Sequence, residues 1–404
     1  MNDKELYKSL RKHIGASYHI PHSFKTASNY TIKTIEDKEI IDLSAGYGVV
    51  NIGYQHPKMV EYQKTLIDKI NYVPTWMCTT EVNELQEKLR SFFPNTNYQC
   101  LKTSGGSNGN EVAISVFYNL CGGHIGTFER SYHGWSQTTL GMGDIVSYKL
   151  PNVRPEYITK KLPSPNKLTI REVESFFDLN PEIKIFIAEP ILGSGGVLFP
   201  DKGFYKEFYR VCKERGVYLI FDETITAFGR IGHMFCSHYY GIDPDGIILA
   251  KGMSSGYAAI GTVMIKEEIM KSYKFGDVSA TFSWIPSACG ITKKNIEIIE
   301  EEDLCNNSKV MGEYFKNTLI NLFKDFNTPI EVRGIGLMIG IQFLTPNRVY
   351  LTGRVVYDLI ENGVMFCYSG DNDSIVALPP LTIDKEGIDK CVDIIREVFI
   401  KRSL

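Results

Sequence analysis

The stretch "VYLIFDETITAFGRIGHMFCSHYYGIDPDGIILAKG" (217–252) decides the fold. Two short apolar runs, Val217–Phe221 and Ile247–Ala250, each end in one ionisable residue, Asp222 and Lys251. Near-continuous apolar runs of this length read as strands buried on both faces, the pattern of a parallel sheet covered by helices. Burying a lysine is costly, so its place at the end of an interior strand needs a reason. Either Lys251 snorkels into water or its amine is a reagent.

The flanking sequence repeats the pattern. "IKIFIAEP" (183–190) reads as a strand closing on Glu189, and "KGFYKEFYRVCKERG" (202–216) as a helix stopped by Gly216. In open α/β sheets ligands lie beyond the carboxyl ends of the strands. Glu189, Asp222 and Lys251 are therefore expected to converge on one cleft; the plain alternative is three strand-end charges in solvent. After about residue 290 the pattern changes to a long helical stretch (291–323), strand-like "GLMIGIQFL" (336–344) and a final helix, "GIDKCVDIIREVFIKR" (387–402). The expected fold class is α/β, with a large domain (56–290) and a smaller α+β domain assembled from segments 1–55 and 291–404.

Bulk properties narrow the function. The chain has 404 residues, 43% hydrophobic and 23% charged, enough for two cores. A net charge of −3 argues against nucleic acid or an anionic membrane as partner. Nine scattered cysteines without a CxxC pair read as reduced thiols rather than as a zinc site or disulfide framework. No run approaches the ~20 apolar residues of a membrane helix, and the first twenty residues do not read as a signal segment. The expectation is a soluble cytoplasmic protein without a metal centre.

Two further motifs carry chemistry. "TSGGSNGNEVAISVFYNL" (103–120) sets small residues before a helix, where free backbone N–H groups attract an anion. It is neither a Walker A loop nor a GxGxxG fingerprint. Gly106 and Ser107 are the expected phosphate donors, although glycines before a helix are often just a turn. In "ERSYHGWS" (129–136) an aromatic beside His-Gly could stack on a flat heteroaromatic ring; Tyr132 and Trp135 could equally be core or rim residues. A phosphate cradle, a stacking aromatic, a strand-end Asp and a strand-end Lys together suit pyridoxal 5′-phosphate.

On these residues the chain resembles the class-III aminotransferases of pyridoxal-phosphate fold type I, a family that includes glutamate-1-semialdehyde aminomutase. The resemblance runs nearly end to end through "DLSAGYGVVNIGYQHPKMV" (42–60), "GSNGNE" (106–111), "YHG" (132–134), "AEP" (188–190), "FDETITAFGRIG" (221–232), "GIDPDGIILAKGMSSG" (241–256), "TFSWIPSACG" (281–290) and "VRGIGLMIGIQF" (332–343). It implies Lys251 as the Schiff-base lysine and Asp222 as the partner of the pyridine nitrogen. Tyr132 and Thr224 would lie on opposite ring faces, beside His133, with Gly106, Ser107 and Asn108 at the phosphate and Glu189 in the surrounding polar network. It also implies a homodimer with shared active sites, Thr281 of the partner subunit adding a phosphate contact. Arg230 and Arg333 are expected to be structural.

The departures concern substrate. Many members carry an Arg before "x-x-Pro-Pro-Leu", where "SIVALPPLTI" (374–383) has Val376, and a Glu in the loop after Glu-Pro, where Ser194 stands. Trp284 and Ile285 replace a usual Gly-Asn, so Trp284 either reshapes the pocket or packs into a subunit interface. Tyr47 and Trp76 are further candidates for the pocket wall. The expected reaction is ping-pong amino transfer from an amine donor to a carbonyl acceptor. The substrate would lack an ordinary α-carboxylate, as an amino sugar, a phosphorylated ketone or an amino alcohol does. The alternatives are an aminomutase of the glutamate-1-semialdehyde type, a decarboxylase, and a scaffold that has lost catalysis.

Overall fold

The computed structural model describes residues 22–145, 157–274, 276 and 279–404. The first 21 residues, on which the signal-segment reading fell, lie outside the described residues. A seven-stranded sheet forms the centre: β1 (Tyr98–Thr103), β2 (His124–Phe128), β3 (Thr159–Leu162), β4 (Ile183–Ala188), β5 (Tyr218–Asp222), β6 (Gly246–Leu249) and β7 (Gly261–Lys266). Its order is β1-β7-β6-β5-β4-β2-β3. Adjacent strands from β6 to β3 pair in parallel, while β7 runs antiparallel to both β1 and β6. All strands but β7 therefore point one way, which gathers their carboxyl ends at a single edge.

The apolar runs form strands because both faces are covered. Every residue of β6 is buried, as are four of the five in β5. Helix α1 (Gly106–Cys121) supplies one cover, burying Val112, Ala113, Val116 and Phe117, spaced along one helical face. Gly109 sets its closeness, because a Cβ there would lie 2.8 Å from Ile248 Cγ2 on β6. Helix α2 (Phe204–Glu214) covers elsewhere, burying Phe208, Val211 and Cys212. It sits within the expected helix 202–216, and β4, β5 and β6 fall within the three expected strands.

Two four-stranded sheets lie outside the central one. In the first, Glu39–Asp42 pairs in parallel with Val364–Met365, so chain from both ends of the sequence shares one sheet. The second joins Ile330–Ile335, Met338–Phe343, Ile375–Ala377 and Cys367–Tyr368. The expected helical stretch 291–323 is two helices, α3 (Pro286–Glu301) and α4 (Leu304–Phe323). They part at Asp303, which is left-handed at φ 50°. The acidic run Glu300–Asp303 opposes the negative end of the α3 dipole, and Asp tolerates the left-handed conformation better than most residues. The final helix, α5 (Lys385–Lys401), begins at Asp384, whose carboxylate accepts from Gly387 N–H. Among the described residues no helix is long and apolar enough to cross a membrane, and no cluster of potential metal ligands forms. All nine cysteines are unpaired.

Candidate active site

A cavity of about 270 Å³ opens at the carboxyl edge of the sheet. Gly106, Ser107, Tyr132, His133, Glu189, Asp222, Thr224 and Lys251 all line it. Each arrives by the same device: a strand of the central sheet ends, and the residues at or just past its end project from the edge. β4 delivers Glu189, β5 Asp222, β6 Lys251, and the segment after β2 Tyr132 and His133.

Asp222 is buried and its carboxylate is held on every side. Oδ2 lies 2.9 Å from His133 Nδ1 and accepts from Asn110 Nδ2 at 2.9 Å, while Oδ1 accepts from Thr224 N–H at 3.2 Å. Burial alone would raise its pKa, but the hydrogen bond and charge of His133, with Thr224 and Asn110, outweigh it and hold Asp222 below the usual carboxylate value. Asp222 stays ionised.

Lys251 follows an extended Ala250 and takes a left-handed conformation at φ 47°, a cost of about 1–3 kcal/mol that packing must hold. Asn295 on α3 supplies part of that hold, donating Nδ2–H to the carbonyls of Gly252 and Met253. Asn51 supplies more: a Cβ on Gly252 would lie 2.3 Å from Asn51 Nδ2, so nothing larger than glycine fits. Among the described residues Lys251 Nζ forms no ion pair. Desolvation pulls its pKa below the ordinary lysine value, against the opposing charges of Asp222 and Glu189.

Glu189 is 4% exposed, with Oε1 accepting from Tyr132 N–H at 2.7 Å and Oε2 from Gly193 N–H at 3.1 Å. Burial first, and the charge of Asp222 second, push its pKa up to about 8. The shift favours the protonated carboxyl. Glu223, one residue past Asp222, points away from the cavity and accepts from the N–H groups of Cys236 and Ser237.

The amino end of α1 has no side-chain cap. Its first-turn N–H groups have no carbonyl within the helix to bond. A Cβ on Gly106 would meet Thr224 at 3.0 Å, and one on Gly134 would meet Ser107 Oγ at 2.2 Å. The cradle is closed by side chains that require glycine opposite them. Thr224 Oγ1 and His133 Nε2 are buried without a protein partner. An anion cradle, a lysine amine without a counter-ion, an ionised aspartate and two orphaned polar atoms fit pyridoxal phosphate.

Other sequence candidates lie elsewhere. Asn108 turns back to accept from Ser104 N–H at 3.0 Å, just before the helix, and does not line the cavity. Trp284 is 2% exposed and donates its indole N–H to Gly261 O, packing inside its own chain. Thr281, Tyr47 and Trp76 are exposed and do not line the cavity. Arg230 is wholly buried against Leu337 O, Pro379 O and Asn51 Oδ1, and the partly buried Arg333 donates to Gly196 O and Val197 O. Sequence reasoning missed Asn110, Val49, Ile225 and Ala258–Ile260. Asn110 carried a signal, since it lies one helical turn after Gly106 and so on the face the phosphate loop presents.

The comparisons agree with this geometry. The family model "Aminotransferase class-III" matches residues 15–399. The acetylornithine aminotransferase of Methanocaldococcus jannaschii is 33% identical over 90% of each chain. The 5-aminovalerate aminotransferase of Pseudomonas putida is 31% identical over 93% of this chain and 92% of its own. The structure of a thermostable (S)-enantioselective omega-transaminase from Thermomicrobium roseum superposes with a TM-score of 0.89 at 26% identity, covering 99% of both chains. The chain belongs to the class-III aminotransferases, pyridoxal-phosphate-dependent enzymes of fold type I.

Proposed function

We propose that the amine donor or carbonyl acceptor of this aminotransferase lacks an α-carboxylate next to the reacting carbon. The observation that carries the reading is the cavity wall. Among the described residues Lys251 is its one lysine or arginine, and Val49, Ile225, Ala258, Ala259 and Ile260 make much of the rest. Val376 is 3% exposed and packs in an apolar cluster with Met338 and Leu378. A substrate carboxylate set against that wall would be desolvated without a bidentate partner. Amino sugars, phosphorylated ketones and amino alcohols avoid this penalty.

When bound, pyridoxal phosphate supplies an aldehyde that condenses with amines and a ring that accepts electrons. The backbone N–H groups of Gly106 and Ser107 would hold its phosphate, and Tyr132 and Thr224 would orient the ring. Asp222, kept ionised by His133 and Asn110, would hold a proton at the ring nitrogen. Lys251 Nζ, its proton affinity lowered by desolvation, would take a proton from the substrate carbon beside nitrogen and return it one step later. A homodimer with Thr281 of the partner subunit at the phosphate is part of the proposal. Exposed Ile67, Trp76, Met77 and Phe282 support it as an apolar surface suited to a second copy.

A second reading is favoured by the relatives' names: a donor of the acetylornithine or 5-aminovalerate kind, whose reacting amine is remote from its carboxylate. The test offers donors with and without an α-carboxylate and follows amine uptake by the cofactor's absorbance. Uptake from amino sugars or amino alcohols, with none from α-amino acids, is the expected result. Uptake from N-acetylornithine alone would favour the second reading, uptake from α-amino acids would overturn the proposal, and product formed without any acceptor would mark an aminomutase.

A further inference from the structure

We propose that Arg130 is a positioning residue: by gripping Asp373 and the loop after Glu189, it fixes the two backbone N–H groups that hold the Glu189 carboxyl. This rests on the reading of Glu189 as part of the reaction site.

The geometry runs through one loop. Arg130 Nε donates to Gly195 O at 3.0 Å, and its two terminal nitrogens donate to the two carboxylate oxygens of Asp373 at 3.0 and 2.8 Å. Fork-to-fork pairing of this kind fixes direction as well as distance. Asp373 is itself 4% exposed at its side chain and locked by Ser369 Oγ at 2.8 Å and Gln342 Nε2 at 3.2 Å. Arg333 grips the next carbonyl, donating from Nε to Gly196 O at 2.9 Å, and Gly370 N–H donates to Ser194 O at 2.8 Å. Three consecutive carbonyls, Ser194 to Gly196, are thereby tied to the hairpin at 369–374 and to β-strand Ile330–Ile335.

That loop begins at Gly193, whose N–H holds Glu189 Oε2, and Arg130 lies two residues before Tyr132, whose N–H holds Oε1. Both donors hang from segments that Arg130 joins. Arg130 also takes a left-handed backbone at φ 63°, and its own N–H is fixed by Asp144 Oδ2 at 3.1 Å. A strained residue held at both main chain and side chain turns the chain between β2 and Tyr132. Loosening it withdraws two hydrogen bonds that favour the ionised carboxyl. The charges facing Glu189 from neighbouring elements, Asp222 and Lys251, stay where they are, as does the Tyr205 hydroxyl on its backbone carbonyl.

The test uses the full-length, cofactor-loaded protein with Arg130→Gln, Arg130→Lys and Asp373→Asn, alone and on a Glu189→Gln background. The pH titration of cofactor absorbance is recorded, and the step abolished by Glu189→Gln is Glu189's own. Arg130→Gln is expected to move that step to a pH higher by about 0.5 or more, roughly a threefold change in proton affinity. Asp373→Asn should move it less, Arg130→Lys should restore part, and on the Glu189→Gln background no variant should move anything. Amide exchange at Tyr132 and Gly193, followed without cofactor, should rise in Arg130→Gln. An unmoved step with only a lowered melting temperature would overturn the proposal. The same displacement surviving Glu189→Gln would overturn it too. A titration indifferent to Glu189→Gln would instead refute the placement of Glu189 in the site, which is the prior reading. If Arg130→Gln does not fold, Asp373→Asn carries the same comparison.

Discussion

His133 Nδ1 lies 2.9 Å from Asp222 Oδ2, with both side chains buried at the end of β5. The pair keeps a carboxylate ionised where burial alone would protonate it, and Asn110 and Thr224 complete the shell. Asp222→Asn keeps the shape and removes the charge. Turnover should fall by on the order of 10²-fold or more, as when a preorganised electrostatic partner is lost. Cofactor should be retained, because the α1 cradle and Thr224 are untouched. Steady-state rates beside an absorbance spectrum check both halves, and near-normal turnover would refute the role.

Lys251 should account for the protein's colour. Lys251→Ala, incubated with pyridoxal phosphate, should lack the visible absorbance of the parent and lose turnover by roughly 10²–10⁴-fold, the range of a positioned proton-transfer group. A variant that stays yellow and active would remove Lys251 from the chemistry.

The strand ends were legible because burial on both faces leaves a continuous apolar run, and each run here stops at a residue that lines the cavity. The small residues before α1 also showed in the sequence, but there they fit a plain turn as readily as an anion cradle. What failed to show was side-chain direction and long-range partnership. Nothing near Trp284 in sequence says that its indole meets Gly261 O, and nothing near Arg130 points to Asp373, 243 residues away. The direction of the Asn108 side chain was not legible either, since the bond from Ser104 N–H that turns it depends on the fold of the loop before α1. The break at Asp303 turned on backbone conformation, which periodicity does not encode.

Glu189 predicts a pH dependence of stability. Its folded pKa of about 8 lies above the ordinary glutamate value, so the protonated form is favoured in the fold. A group raised in this way contributes stability that is complete below about pH 4.5 and is lost as pH rises toward 8. Each tenfold change in proton affinity corresponds to about 1.4 kcal/mol. Glu189→Gln cannot ionise, so its melting temperature should fall less than the parent's between pH 5 and 8. Parallel melting curves across that window would show that Glu189 does not titrate as its surroundings dictate.

The seat of Lys251 can be tested from behind. Gly252→Ala would push its Cβ to 2.3 Å from Asn51 Nδ2, and Asn51 is pinned between Phe228 O at 2.8 Å and Arg230 at 2.9 Å. Neither partner gives way easily, so the strain should fall on the Lys251 turn. Overpacking of this kind costs about 1–3 kcal/mol. A lower melting temperature should come with at least a tenfold loss of turnover, measured below the transition. Stability lost without activity lost would mean the lysine's position does not depend on this contact.

Val376 offers the sharpest test of substrate class. It pairs with Gly340 across the sheet, and a Cβ on Gly340 would lie 2.8 Å from Gly196 O, so the loop bearing Ser194 packs against this strand. An arginine at 376 would enter the apolar cluster around Met338 and Leu378, at a cost of several kcal/mol. Val376→Arg alone should therefore lower the melting temperature by several degrees and gain no turnover with α-amino acid donors. Adding Ser194→Glu supplies a partner, and the double variant should recover part of the stability. Any new turnover on ornithine-type donors should appear only there. Turnover gained by Val376→Arg alone, without loss of stability, would mean that a carboxylate of the substrate already reaches this place.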